Sequence, residues 1–488
     1  MKTDPEYFDV VIVGAGLSGI GAACHLLKEC PNHKYIILEA RASMGGTWDL
    51  FRYPGVRSDS DMHTLGYGFR PWDGSKTITD GPSILDYLLE TAQEYRVENN
   101  VRYNQKLKTA NWSSENSCWT LEIEDTFNKK NIKLHTNFLH MCSGYYDYET
   151  AYNPDFPDLR QFKGTLINPQ FWPEKLDYLG KRVVVIGSGA TAVTIVPAMA
   201  ETAQHVTMLQ RSPSYFLSWP SKDRFTSILK MILPRKWAHS LTRLRYILFQ
   251  ELLYKLTRVA PTLIKKRLIG RVRRTLGSEF DIEKHFTPDY NPWDQRLCLV
   301  PDNDFFSALR SRKASVVTDN IARFTATGIL LESGTHLDAD IVVTATGLKL
   351  IVLGGVKFSI DRNPVDISQA WSYKALMITG VPNMVSTFGY VNASWTLRSD
   401  ITAKWVCKVL NHMARTNTTS VVPHMPAEFE QMEFKPWITD FPASYIKRVM
   451  HLFPKQGFME PWLNSQDFRK DKRMFNEPLE TDKSLKFS

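Results

Sequence analysis

No C-x-x-C pair occurs anywhere in this sequence, and its six cysteines (Cys24, Cys30, Cys118, Cys142, Cys298 and Cys407) are scattered. This excludes the paired thiols of a disulfide reductase and the ligand set of a zinc ribbon, and leaves ordinary thiols of a reducing compartment. No metal site is expected. No apolar run approaches the roughly 18 residues that span a bilayer. Acidic Asp4 and Glu6 stand ahead of the first apolar run, where a secretory leader would carry positive charge. A cytoplasmic protein is expected. Acid is the scarcer sign, with 51 Asp or Glu against 60 Lys or Arg and a net charge of +9. The excess is local: Lys222 to Leu276 holds 15 Lys or Arg and two acids, a balance of +13, so the remainder is net acidic. One basic segment is not a nucleic-acid signature, and no nucleic-acid partner is expected.

What is present is core material, 43% hydrophobic and 12% aromatic, on a 488-residue chain long enough for two or three domains. Residues 8–13, FDVVIV, read as a buried parallel strand. Gly14-Ala15-Gly16-Leu17-Ser18-Gly19 follows, then a helical pattern through Cys24, Leu26 and Leu27, and a second strand that ends at Glu39. Strand, glycine turn, helix and acidic residue in this register form a dinucleotide fingerprint. The glycines allow a tight turn and close approach, the helix N-terminus faces pyrophosphate, and the carboxylate can bond a ribose hydroxyl pair.

A second such unit begins with the strand Arg182 to Ile186 and the turn Gly187-Ser188-Gly189-Ala190-Thr191-Ala192. A helix over Val193 to Met199 and a strand over 205–211 should follow. At the end of that strand, where an NAD site would carry a carboxylate, stand Gln210, Arg211 and Ser212. A ribose 2′-phosphate needs positive charge there, which selects NADPH over NADH. Two nucleotide sites on one chain suit hydride transfer.

Between and beyond these units an amphipathic helix is predicted from Gly81 to Gln93, with Ile84, Leu85, Leu88 and Leu89 on one face. Residues 101–141 alternate as an antiparallel sheet, and 315–345 carry a run of strands. The basic segment 222–276 has apolar residues at helical spacing (among them Leu241, Leu244, Ile247, Leu248, Leu252, Leu253 and Leu256), broken at Pro234 and Pro261. It reads either as an inserted helical domain with a solvated basic face or as a peripheral membrane-contact element. The Lys- and Asp-rich stretch from Phe468 onward is expected to be a loosely held end.

GAGLSG, the run GGTWDLFRYPGVRSDSD and GSGATA resemble the class B flavin monooxygenases, which include Baeyer–Villiger and flavin-containing monooxygenases. Within the group the resemblance falls on the ethionamide-activating branch, and GGTWDLFRYPG is also similar to long-chain alkane monooxygenases. It implies an α/β fold of two Rossmann-like dinucleotide-binding domains, for FAD and NADP, with an inserted helical segment. Residues 1–152 and 347–488 would form the FAD domain and its C-terminal tail, 153–214 and 290–346 the NADP domain, and 215–289 the insertion. Gly14, Gly16, Gly19, Glu39, Gly46, Thr47, Trp48 and Asp59 would then serve FAD. Gly187, Ser188, Gly189, Thr191, Ala192, Arg211 and Ser212 would serve NADPH. Asp340 to Gly347 resembles the family's D-x-x-x-x-A-T-G crossing, and 381–400 the strand and helix that close over the flavin. The link F-x-G-x-x-x-H-x-x-x-W-P is matched by Phe162, Gly164, Trp172 and Pro173, but position 168 is Asn.

By resemblance Arg296 is the active-site arginine and Asp59 its orienting partner. The implied reaction uses a C4a-peroxyflavin to insert one atom of O2 into a ketone, giving an ester or lactone, with sulfides as further substrates. That chemistry needs a fixed cation beside the anionic oxygens, which a guanidinium supplies at working pH. Heteroatom or long-chain alkane oxidation by the same group is the alternative, and a flavoprotein oxidase or electron-transfer reductase is the alternative from another class. The expected partners are a small hydrophobic ketone or sulfide and O2.

Overall fold

A computed structural model describes residues 5–295, 297–429, 431–439 and 443–488. The apolar run at 8–13 lies within strand β1 (Glu6–Val13), whose last four residues are all buried. Parallel neighbours β2 (Tyr35–Leu38) and β6 (Lys130–Met141) flank it, and β3 (Val101–Arg102) extends the edge beyond β2. Strand β6 changes partner along its length. Its first half pairs antiparallel with β5 (Cys118–Asp125), while Leu139–Met141 pair parallel with β21 (Met384–Ser386). Strand β4 (Gln105–Ser113) continues the antiparallel meander, and β17 (Lys357–Ile360) and β18 (Asn363–Pro364) extend it. Segments separated by more than 200 residues, 6–141 and 357–386, thus share one sheet. A short hairpin of β19 (Ser372–Tyr373) and β20 (Met377–Ile378) precedes β21.

Helices α1 (Leu17–Glu29) and α11 (Trp395–Thr416) share one core, in which Ile20, Ala23, Trp405 and Val406 are buried. Two single-turn helices, α2 (Thr47–Leu50) and α3 (Met62–Leu65), follow β2. Helix α4 (Gly81–Glu94) is capped by Asp80, whose Oδ1 accepts from the Ser83 N–H at 2.9 Å. Its buried face is Ile84, Tyr87 and Leu88, and the expected Leu89 is exposed. Tyr87 takes the inward position because its hydroxyl is satisfied there, accepting from Tyr67 N–H at 2.9 Å and donating to Arg70 O at 2.5 Å.

The second sheet is wholly parallel, in the order β12 (Ala314–Thr318), β9 (His205–Gln210), β8 (Arg182–Ile186), β16 (Ile341–Thr344), β7 (Thr165–Ile167). Helix α5 (Ala190–Met199) begins three residues earlier than its apolar pattern, because the glycine turn leads straight into it. Strand β9 stops at Gln210, which leaves Arg211 just past the strand end. Strands β13 (Ile321–Thr325), β14 (Gly328–Leu331) and β15 (His336–Asp338) form a separate antiparallel sheet.

Strand β10 (Phe216–Trp219) pairs parallel with β11 (Cys298–Pro301), which is followed by α10 (Asp304–Arg310). Between β10 and β11 lie α6 (Arg224–Ile232), α7 (Arg235–Val259), α8 (Pro261–Leu276) and α9 (Ile282–Phe286). The breaks expected at Pro234 and Pro261 are helix starts, where a missing N–H costs nothing. Helices α8 and α9 add Val272, Leu276, Ile282 and Phe286 to the core of the second sheet, so this part of the basic segment is built into a shared core.

The C-terminal stretch departs from expectation. It contains α12 (Ser444–Lys447), α13 (Phe468–Asn476) and β23 (Leu485–Phe487), which pairs with β22 (Val421–Pro423). Helix α13 buries Met474 and Phe475 and, among them, Asp471. That carboxylate pairs with the buried Arg398 of α11 and accepts from Tyr390 OH at 2.7 Å. The composition suggested a loose end because most of α13's charges face solvent; the inward charge is neutralised by a residue 73 positions away. No helix of the described residues is long and apolar enough to cross a membrane.

Candidate functional site

Both glycine turns open on one cleft of about 1260 Å3. At the first, Gly14 has φ +103°, and a Cβ there would stand 2.6 Å from the Cys142 carbonyl oxygen. A Cβ on Gly19 would lie 1.8 Å from Gly14 O, so α1 can seat against β1 only with glycine at that position. Gly16 precedes α1 with no side-chain cap, and no acid occupies the first turn, so the terminal N–H groups lack a side-chain acceptor. Gly46 comes close enough that a Cβ would meet Gly16 Cα at 2.9 Å, which brings Thr47 and Trp48 to the cleft wall.

Glu39 is buried just past β2. Its carboxylate accepts from Ala15 N–H at 2.7 Å and Arg41 N–H at 2.9 Å. Burial pushes its pKa up, and those two N–H groups oppose the rise. A carboxylate has acceptor sites left over for ribose hydroxyls. Uncapped helix, glycine-lined floor and buried acid together fit an adenine dinucleotide.

The second turn repeats the geometry with one exchange. Gly187 has φ +140° and would place a Cβ 2.3 Å from Ala345 O, while Gly189 has open space before it. Ala192, where the first turn has Gly19, is fully buried in the core. Ser188 Oγ donates to Ser212 O at 3.0 Å, tying the turn to the segment after β9. Arg211 and Ser212 line the cleft, and Arg211 is exposed with no ion-pair partner among the described residues. Thr346, which also lines the cleft, has a buried hydroxyl oxygen with no partner among the described residues. An unpaired cation and an orphan hydroxyl on a polar wall fit a phosphorylated ribose.

The loop 52–61 lies between the two turns. Gly55, at φ +74°, would carry a Cβ 2.9 Å from Thr194 O, so this loop rests on α5. Burial, then the neighbouring Asp59 carboxylate, pushes the Tyr53 hydroxyl up to about 12, with a bond to Thr191 opposing. Arg57 pairs with Asp304 of α10. Ser58 Oγ donates to Ser60 O and accepts from Ser60 N–H, both at 2.9 Å. Asp61, and not Asp59, caps α3, its Oδ1 accepting from Thr64 N–H at 2.9 Å. Asp59 thereby stands on the cleft wall, as does Gln295. Arg296 lies outside the described residues.

Asn168 caps a short 3-10 turn over Pro169–Phe171, its Oδ1 accepting from Gln170 N–H at 3.0 Å. Its Nδ2 donates to Tyr152 O at 3.2 Å and to Asn153 Oδ1 at 3.0 Å. Phe162 packs on the edge of Phe324, in the small core under β13–β15.

The sequence reading missed an aromatic wall. Tyr145 stacks on Trp395 with centroids 5.2 Å apart and shares a 2.9 Å hydroxyl contact with Tyr146, which meets the edge of Phe51. Trp395 Nε1 donates to Ser18 Oγ of the first turn at 2.8 Å. Phe51 and Trp395 fall in the run GGTWDLFRYPG and in residues 381–400, but no local pattern distinguishes Tyr145 and Tyr146 from core. None of the six cysteines is in a disulfide among the described residues, and burial pushes the thiol of Cys142, which lines the cleft, up to about 12.

Residues 77–436 match the flavin-binding monooxygenase-like family, and residues 12–75 match the NAD(P)-binding Rossmann-like domain. The chain is 47% identical over 484 residues to the FAD-containing monooxygenase EthA of Mycolicibacterium smegmatis, covering 99% of this chain and 97% of that protein. It is 46% identical over 485 residues to the probable FAD-binding monooxygenase AlmA of Acinetobacter baylyi, covering 99% and 96%. Among solved structures, an oxidized steroid monooxygenase bound to NADP superposes with TM-score 0.79 at 21% identity, over 99% of each chain. That last likeness shows the fold.

Proposed function

This chain belongs to the flavin-binding monooxygenase-like family as an NADPH-dependent flavin monooxygenase, and from that premise we propose that it performs Baeyer–Villiger oxidation of small hydrophobic ketones. The observation that carries the reading is the single cleft onto which both glycine turns and Asp59 open. Bound FAD, with NADPH as its reductant, would supply the activation of O2.

The first turn, Glu39 and the Gly46–Trp48 segment would hold FAD, within a domain assembled from residues 1–152 and 347–488. The second turn, with Arg211 and Ser212 toward the 2′-phosphate, would hold NADPH, within residues 153–214 and 290–346. We assign to Arg296 the fixed positive charge that would offset the negative charge building on the substrate carbonyl oxygen. Asp59 orients that guanidinium. Support comes from Gln295, next to Arg296 in the chain, which shares the cleft wall with Asp59. One such preorganised charge or donor is worth about 3 kcal/mol in comparable oxyanion sites. The aromatic wall of Phe51, Tyr145, Tyr146 and Trp395 favours an apolar substrate.

The test is product analysis with a 2-ketone, a sulfide and a long alkane in parallel, NADPH and O2 supplied. Ester from the ketone as the principal product is expected. Sulfoxide or alcohol with no ester would transfer the reading to heteroatom or alkane oxidation.

A further inference from the structure

Helix α7 is turned inside out. Trp237, Leu241, Leu244, Leu248, Leu252 and Val259 recur at helical spacing along one face, and that face points to solvent. Trp237 is 67% exposed, Leu252 57% and Val259 83%. The opposite face is buried and largely polar, with Ala238 and Ile247 as its buried apolar residues. Thr242, Tyr246 and Thr257 lie inward, Arg243 donates to His63 O at 2.7 Å and Gly66 O at 2.8 Å, and Gln250 donates to Asp61 at 2.7 Å. A surface helix of a soluble domain has the reverse arrangement. The stripe runs the length of a 25-residue helix, about 37 Å at the usual rise. Helix α6 carries further exposed apolar residues in Phe225, Ile228, Met231 (86% exposed) and Ile232. Exposed apolar surface on this scale marks an interaction site.

Charge selects the occupant. Arg224 of α6, Lys236 and Lys255 of α7, and Lys266, Arg267 and Arg271 of the adjoining α8 are exposed and have no ion-pair partner among the described residues. The two acids of residues 222–276 are already paired, Asp223 with Arg245 and Glu251 with Arg469. The free charge here is therefore all positive. A second copy of the chain would set like charge against like, and a nucleic acid offers nothing to the leucine stripe. An anionic lipid surface answers both features, with headgroup phosphates for the cations and the acyl boundary for Leu, Ile and Trp. We propose that α6 and α7 form a peripheral docking face for anionic bilayers.

The test is co-sedimentation of the full flavin-loaded chain with phosphatidylcholine vesicles and with vesicles containing phosphatidylglycerol. Binding to the anionic vesicles, weakened but not abolished by salt, is expected. The triple variant Leu244→Glu, Leu248→Glu, Leu252→Glu should lower the partition coefficient more than tenfold while keeping its flavin absorbance. Should that variant fail to fold, Lys236→Glu with Lys255→Glu should reduce anionic binding several-fold and leave binding to neutral vesicles unchanged. No sedimentation with anionic vesicles at low salt, equal binding to both compositions, or unchanged binding by the variants would overturn the proposal. So would a dimer in sedimentation velocity that the leucine variant dissolves, since the face would then belong to a second copy.

Discussion

Asn168 donates from Nδ2 to the backbone carbonyl of Tyr152 at 3.2 Å, joining the link that enters the second sheet to the segment that leaves the first. The same segment is held by Gln170, whose Nε2 donates to Asp147 O at 2.7 Å, and by Arg448, whose guanidinium lies 3.7 Å over the Tyr152 ring. Asn168 uses both ends of its amide, since Oδ1 caps Gln170 N–H. An imidazole cannot donate twice and accept once in this geometry while neutral, and it gains charge near neutral pH.

Asn168→His is therefore expected to alter how tightly the two halves of the cleft are tied, and with it the share of NADPH consumed without substrate oxidation. The measurement is peroxide released per NADPH oxidised in the presence of a ketone. A changed ratio with NADPH reduction of the flavin intact is the expected result; an unchanged ratio removes Asn168 from coupling.

The coenzyme preference proposed for Arg211 is open to a direct test. Arg211→Ala should raise the KM for NADPH by tenfold or more, on the order of the 1.4 kcal/mol that corresponds to one decade, and leave the KM for NADH nearly unchanged. Stopped-flow flavin reduction with each coenzyme measures this. Equal effects on both would assign Arg211 to general binding.

Much of this was legible because it is local. Each glycine turn is fixed by contacts within a strand, a turn and a helix, and Glu39 follows 20 residues after Gly19 by the geometry of that unit. What was not legible is held by pairs far apart in the chain. Arg57 meets Asp304 across 247 positions and Trp395 meets Ser18 across 377. Spacing alone located the apolar stripe of α7 but not its direction, because a 3.6-residue period says which residues share a face and nothing of what that face meets. The C-terminal segment misled through composition, since Arg398, which neutralises Asp471, lies in another helix.

Asp471→Asn should accordingly destabilise the whole protein, because it leaves Arg398 buried without a counter-charge. The cost expected for breaking such a pair is about 3–5 kcal/mol. Thermal unfolding of the flavin-loaded protein measures it. A shift no larger than that of an exposed substitution would mean that the tail is held by Met474 and Phe475 alone.

Burial also makes a histidine acid-labile. His140, at Nε2 2.9 Å from Thr387 Oγ1, is pulled down to about 4 by burial, against an ordinary value of about 6.5. The folded value lies below the unfolded one, so its contribution is fully present above about 6.5 and is lost as pH falls toward 4. From pH 7 to pH 5 that loss is roughly 2 kcal/mol. His140→Gln should flatten the fall in unfolding midpoint over this range; an equally steep fall would place the acid sensitivity elsewhere.

The role proposed for Arg296, the charge for oxygen insertion, separates from the coenzyme binding proposed for the cleft's other residues. Arg296→Ala, assayed by stopped-flow flavin reduction with NADPH and by ester yield from a ketone, tests it directly. Reduction close to the parent rate, with ester yield lower by about 100-fold or more, is the result expected for losing one preorganised charge. Ester yield equal to that of the parent protein would remove Arg296 from oxygen insertion.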